Sequence, residues 1–151
     1  MKKILMAVLC VCLLWCAAAS AEDTEEDGFL LRIWDRSGLE ISYLRFDIYA
    51  GDEYRGLICS CPDEGEDFYR CPYSPDTQED AEKLRIECSY GVSDLSPEDA
   101  ILQVMAGKPA EEHPLLTLDF IPEIGQTYDL DIKPDGNGGW QLAPAEEQHQ
   151  E

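Results

Sequence analysis

The chain has 151 residues, with 32 acidic against 11 basic side chains and a formal charge of −21 at pH 7, a length that suits one domain with its own core. That balance excludes nucleic acid and anionic membrane surfaces as direct partners, because both require clustered Lys and Arg and the basic residues here stand singly among acids. The acid excess gives solubility and colloidal repulsion, and the binding classes it favours are cations and basic proteins.

Residues 1–21 read as a signal peptide. Lys2 and Lys3 make a basic start, Ile4 to Trp15 an apolar run, and Ala19-Ser20-Ala21 a small-residue cleavage site. The run is shorter than the roughly 18 to 20 residues needed to span a bilayer as a helix. The expected localisation is secreted or extracytoplasmic, of a bacterial type. Cleavage after Ala21 would remove two basic residues and no acids, leaving a charge of 9 minus 32, or −23. The alternative is a lipid-anchored surface protein: Leu13-Leu14-Trp15-Cys16 resembles a lipobox in which Cys16 would be lipidated, although Trp15 stands where a small residue belongs.

Residues 22–27 (EDTEED) form an acidic flexible lead with no apolar partner. A single domain is expected over 28–143, followed by a polar, disordered tail at 144–151. Within the domain, apolar residues recur at every second position. Phe29 to Trp34, Glu40 to Ala50, Arg55 to Cys61 and Leu84 to Tyr90 read as strands, as do Leu116, Leu118 and Phe120 with their polar alternates. Tyr128 to Lys133, the turn Pro134 to Gly139, and Trp140 to Leu142 form a hairpin. About seven amphipathic strands predict an all-β fold, a two-sheet antiparallel sandwich; a doubly wound parallel sheet would show unbroken apolar runs. One helix interrupts the pattern. Ser96-Pro97-Glu98-Asp99 carries an N-cap hydroxyl, a proline at the first turn and early acids, and Gly107 stops it, so residues 97–106 should cross over one end of the sandwich with Ile101, Val104 and Met105 inward.

Four cysteines lie beyond the signal, and an even number in an exported chain reads as two disulfides. Alternation places Cys59 and Cys61 on the face of Leu57, and Cys88 on that of Leu84 and Ile86. If both faces are buried, Cys59 pairs with Cys88 across the core and Cys61 with Cys71 around the acidic loop between them. Zinc is disfavoured by the single residue between Cys59 and Cys61, and redox chemistry by the acids that follow.

Phe120-Ile121-Pro122-Glu123-Ile124-Gly125-Gln126-Thr127-Tyr128 resembles the tyrosine corner of immunoglobulin-like and fibronectin type III-like sandwiches. The resemblance implies that the Tyr128 hydroxyl bonds back to the corner, and it implies no activity.

The motifs that would carry catalysis are missing. The chain has no GxSxG, no HExxH and no phosphate-binding glycine loop, and its histidines past residue 21 are His113 and His149. The expected class is therefore a non-catalytic binding module, stabilised by disulfides, whose partner is an extracellular protein or a glycan. Asp129 and Asp131, about 7 Å apart on one strand face, would suit a carbohydrate-active enzyme only if both lined a cleft. No cofactor is required. Calcium is the one candidate ion, and two acidic clusters could hold it: Asp63, Glu64, Glu66 and Asp67 in the cysteine-flanked loop, the better placed, and Asp129, Asp131, Asp135 and Asn137 at the last hairpin. The expected binding residues are aromatics beside acids, with Phe68, Tyr69, Tyr73 and Tyr49 foremost and Tyr43 and Tyr54 as further outward candidates.

Overall fold

The computed structural model describes residues 27–145. The expected signal peptide, the lipobox cysteine, the lead to residue 26 and the tail from 146 lie outside the described residues.

Eight strands form the two layers: β1 (Phe29–Asp35), β2 (Tyr43–Ala50), β3 (Glu53–Ser60), β4 (Phe68–Tyr73), β5 (Leu84–Val92), β6 (Glu111–Asp119), β7 (Thr127–Pro134) and β8 (Trp140–Pro144). One sheet has the order β4-β1-β7-β8 and the other β3-β2-β5-β6. The expected sandwich is thus present, with one strand more than the count from alternation. The extra strand is β4, whose residues fall in the stretch that the sequence marks as the acidic loop. β8 extends through Pro144, one residue past the expected domain end.

Two features separate this topology from an immunoglobulin domain. There, the first, second, fourth and fifth strands share a sheet. Here β1 and β2 lie in different sheets, and β1 runs parallel to β7, so that pair makes the first sheet mixed. The corner itself forms as expected: the Tyr128 hydroxyl accepts from the Glu123 amide at 2.8 Å, and Gly125 takes φ +83° as the chain enters β7.

Alternation decides which residues fill the core. Phe29, Leu31 and Ile33 of β1 face Leu44, Phe46 and Ile48 of β2 across the layers, and Tyr69, Cys71, Ile86, Cys88 and Ile132 complete the filling. A short helix α1 (Gln78–Glu82), unforeseen, sits beside the β2–β3 turn, with Ala81 buried and Gly51 donating to the Lys83 carbonyl at 2.8 Å. The foreseen helix α2 spans Pro97–Met105, with the Ser96 hydroxyl accepting from the Asp99 amide at 3.2 Å. It lies on the outer face of β2 and β3 and not across an end. There Ala100, Ile101 and Val104 bury Tyr43 in a second apolar cluster with Cys59 and Cys61 at its margin.

This second cluster overturns the proposed cysteine pairing. No disulfide is formed among the described residues. Cys59 pairs in register with Arg45 and Cys88 with Phe46, which are successive residues of β2, so the two cysteines point to opposite faces. They also lie on strands either side of β2, about 9 to 10 Å apart by strand spacing, beyond the roughly 7 Å that a bridge can span. The core face of β3 carries Ile58 and Ser60 and not Leu57 and Cys59. Cys61 and Cys71 are likewise divided, the former at the margin of the α2 cluster and the latter in the main core.

Candidate binding surface

Of the four acids in the better-placed calcium candidate, two turn toward an arginine. Arg70 lies 2.5 Å from Glu66 and 3.7 Å from Asp63, while Asp67 accepts from the Trp34 indole at 3.1 Å and Glu64 is exposed. No group of three or more His, Cys, Asp or Glu side chains converges as metal ligands do among the described residues. Asp135, which follows Pro134, serves a turn, accepting from the amides of Asn137 at 2.6 Å and Gly139 at 3.0 Å.

Of the carboxylates considered for glycosidic chemistry, one is tied to an arginine and the other is buried. Asp129 holds Arg32 through two bonds of 2.6 and 2.8 Å, and Asp131 is buried 3.9 Å from Arg36. Both lie on the outer face of β7 beside β1, where Arg32 and Trp34 occupy the same pleat.

The four expected binding aromatics separate into three environments. Tyr69 is a core residue, 5% exposed, and burial pushes its hydroxyl up to about 12. Tyr73 packs edge-on against Phe29 at 6.1 Å, and burial followed by the nearby Asp76 and Asp80 raises it to about 12 as well. Phe68 stands on the outer face of β4 in a ladder of rings and guanidinium groups: Arg70 lies 4.9 Å above it, Trp34 is 5.1 Å away, and Arg32 lies within 6 Å of both rings. This ladder is closed upon itself, since each arginine is also paired with acids and Trp34 is only 6% exposed.

Tyr49 is the candidate that the fold leaves at a usable surface. It sits at the end of β2, opposite Tyr54 of β3 and Arg85 of β5 on the outward pleat. The Tyr49 and Tyr54 rings meet edge to face at 5.4 Å, and the Arg85 guanidinium covers Tyr49 at 4.6 Å. Tyr54 is 53% exposed, more than any other described aromatic. Its hydroxyl donates to Asp47 at 3.2 Å, and partial burial together with the Asp47 charge raises it to about 12, so it remains a donor at physiological pH. Asp47 is itself fixed by Arg45 through bonds of 2.8 and 3.0 Å, and Arg45 continues to Glu112, which accepts from Tyr43 beneath α2. The pair is therefore braced from below while one ring stays open.

The register shift between Ile48 and Tyr49 explains why these rings meet. A bulge beside the hairpin places one extra β3 residue against β2, which brings Tyr54 level with Tyr49 and turns Arg55 toward Asp80 of α1, 2.8 Å away. Strict alternation carries no mark of such a shift. Arg85 went unnoticed for a simpler reason: it is the polar alternate of a core strand, and its role depends on which strand lies beside it.

No family model, curated protein or solved structure matches this chain.

Proposed function

We propose that this protein is an exported, non-catalytic binding module that meets an extracellular protein or glycan with the outer face of the β2–β3 hairpin and the start of β5. The observation that carries this reading is the Tyr49, Tyr54 and Arg85 cluster, a rigid aromatic surface held by hydrogen bonds and offering an exposed ring. Tyrosine and arginine at such positions supply large contact area at low entropic cost, which is why they dominate binding hot spots. A non-catalytic role is supported by the engagement of Asp129 with Arg32 and by the burial of Asp131. The export signal at residues 1–21 supports an extracellular partner.

The experiment is a comparison of wild-type protein with Tyr49→Ala and Tyr54→Ala on a glycan array and against proteins of the surrounding medium. A retained ligand whose binding falls in both variants supports the proposal. Ligand binding indifferent to both overturns it. The N-terminal mass of the exported protein separates the two forms of export, a start at Glu22 fitting secretion and a lipid-modified Cys16 fitting the anchored alternative.

A further inference from the structure

The fold sorts the cysteines past residue 21 into two and two. Cys71 and Cys88 lie in the main core, at 0% and 5% exposure, whereas Cys59 and Cys61 are half-buried at the margin of the α2 cluster. The second sheet stands between the two groups, which excludes every mixed pair. Within the core, Cys71 belongs to β4 and Cys88 to β5. The Ser60 hydroxyl accepts from the Arg70 amide at 2.9 Å, so β4 passes over β3, and β5 lies two strands farther along the second sheet. That sideways offset, about 9 to 10 Å by strand spacing, alone exceeds the roughly 7 Å that a bridge can span. One couple remains. Cys59 and Cys61 are two residues apart on one pleat, which sets their Cα atoms about 6.8 Å apart in extended chain, at the upper end of the disulfide range. The last ladder pair of β3 is Ser60 with Leu44, so Cys61 stands beyond the ladder, and the chain before Pro62 can draw inward without breaking a strand hydrogen bond. The acids that follow do not crowd the couple with charge, because Asp63 and Glu66 both turn to Arg70.

We propose that Cys59 and Cys61 form a modification site, closing a disulfide with each other when the chain meets a disulfide-bearing oxidant, while Cys71 and Cys88 stay thiols. The thiolate of one cysteine attacks the S–S bond of the donor, makes a mixed disulfide and releases one donor thiol. The second cysteine attacks the protein sulfur of that mixed disulfide and releases the other. The protein thereby loses two hydrogens and two electrons, and the donor disulfide becomes two thiols. Half-burial gives a donor access to this couple, and the main core denies it to Cys71 and Cys88. An exported chain meets such donors outside the cytoplasm.

The test is a disulfide map of the exported protein. The protein is reduced, freed of reductant, incubated in its folded state with oxidised glutathione at about pH 8, and then alkylated with N-ethylmaleimide in urea. Trypsin releases Cys59 and Cys61 on one peptide, Gly56 to Arg70, apart from Cys71 and Cys88. The expected result is that this peptide escapes alkylation and is about 2 Da lighter than its reduced form, with Cys71 and Cys88 both alkylated. In Cys59→Ser and in Cys61→Ser the remaining cysteine of the couple should instead hold glutathione, the mixed disulfide having no second thiol to resolve it. The wild-type map stands without these variants. A bridge from Cys59 or Cys61 to Cys71 or Cys88 would overturn the inference, as would a wild-type peptide in which both cysteines are alkylated or both carry glutathione. Oxidation in urea should consume Cys71 and Cys88 as well, since the fold no longer sets them apart.

Discussion

Gly91 is required by a ring and not by its own backbone. Tyr43 lies across β5 at that position, and a Cβ on Gly91 would stand 2.1 Å from the Tyr43 ring. Tyr43 cannot retreat, since it is fully buried under α2 and its hydroxyl donates to Glu112 at 2.8 Å. Gly91→Ala should therefore lower stability by about 1 to 3 kcal/mol, the usual range for overpacking, as a shift in urea midpoint at unchanged slope. Cys88 offers a second test at this scale. Its thiol is buried in the main core, and burial pushes it up to about 12. It should resist thiol reagents at pH 8 in the folded protein and react once urea unfolds the chain. Alternation alone could not place it correctly relative to Cys59, because two residues on different strands share a face only if the register between those strands is known.

At the scale of elements, α2 depends on its contact with the sheet. Nine residues, Pro97–Met105, are too few for a helix to persist alone in water. The Ser96 cap and the burial of Ala100, Ile101 and Val104 against Tyr43 hold it. Ile101→Ala should cost about 2 to 4 kcal/mol and loosen Tyr43 and the Glu112 end of β6, read as faster amide exchange in those segments than in β7. The helix was legible in the sequence because capping chemistry is local, and the β7–β8 hairpin because its turn residues are. The tyrosine corner was legible for the same reason. β4 was not: Phe68-Tyr69-Arg70-Cys71-Pro72-Tyr73 alternates, but the acids before it and the cysteine within it suggested a closed loop. The aromatic cluster was half legible. Tyr49 was read as a contact residue from its position beside acids, whereas its union with Arg85 depends on β2 lying between β3 and β5, a long-range fact.

For the molecule as a whole, the layers are held by an apolar core that contains hydroxyls and a thiol kept protonated by burial. Tyr69 and Tyr73 are each raised from about 10 to about 12, chiefly by desolvation. Between those values the unfolded chain has released protons that the folded chain retains, so stability is intact below pH 10 and is lost as pH rises toward 12. Each fully buried hydroxyl shifted by two units corresponds to stability on the order of 2 kcal/mol, a figure that applies best to Tyr69. The protein should unfold cooperatively in that alkaline window, followed by circular dichroism, and Tyr69→Phe should move the transition upward. An unchanged midpoint in the variant would mean that Tyr69 titrates freely.

A partner of this module should touch the sandwich at the β2–β3 hairpin. A photo-reactive phenylalanine analogue placed at Tyr54, or at exposed Ile121, which follows β6 at the opposite edge of the same sheet, decides this directly when each protein is irradiated with the ligand identified in the binding screen. A covalent adduct from position 54, abolished by Tyr49→Ala and absent from position 121, is the predicted result; an adduct from position 121 alone would contradict it.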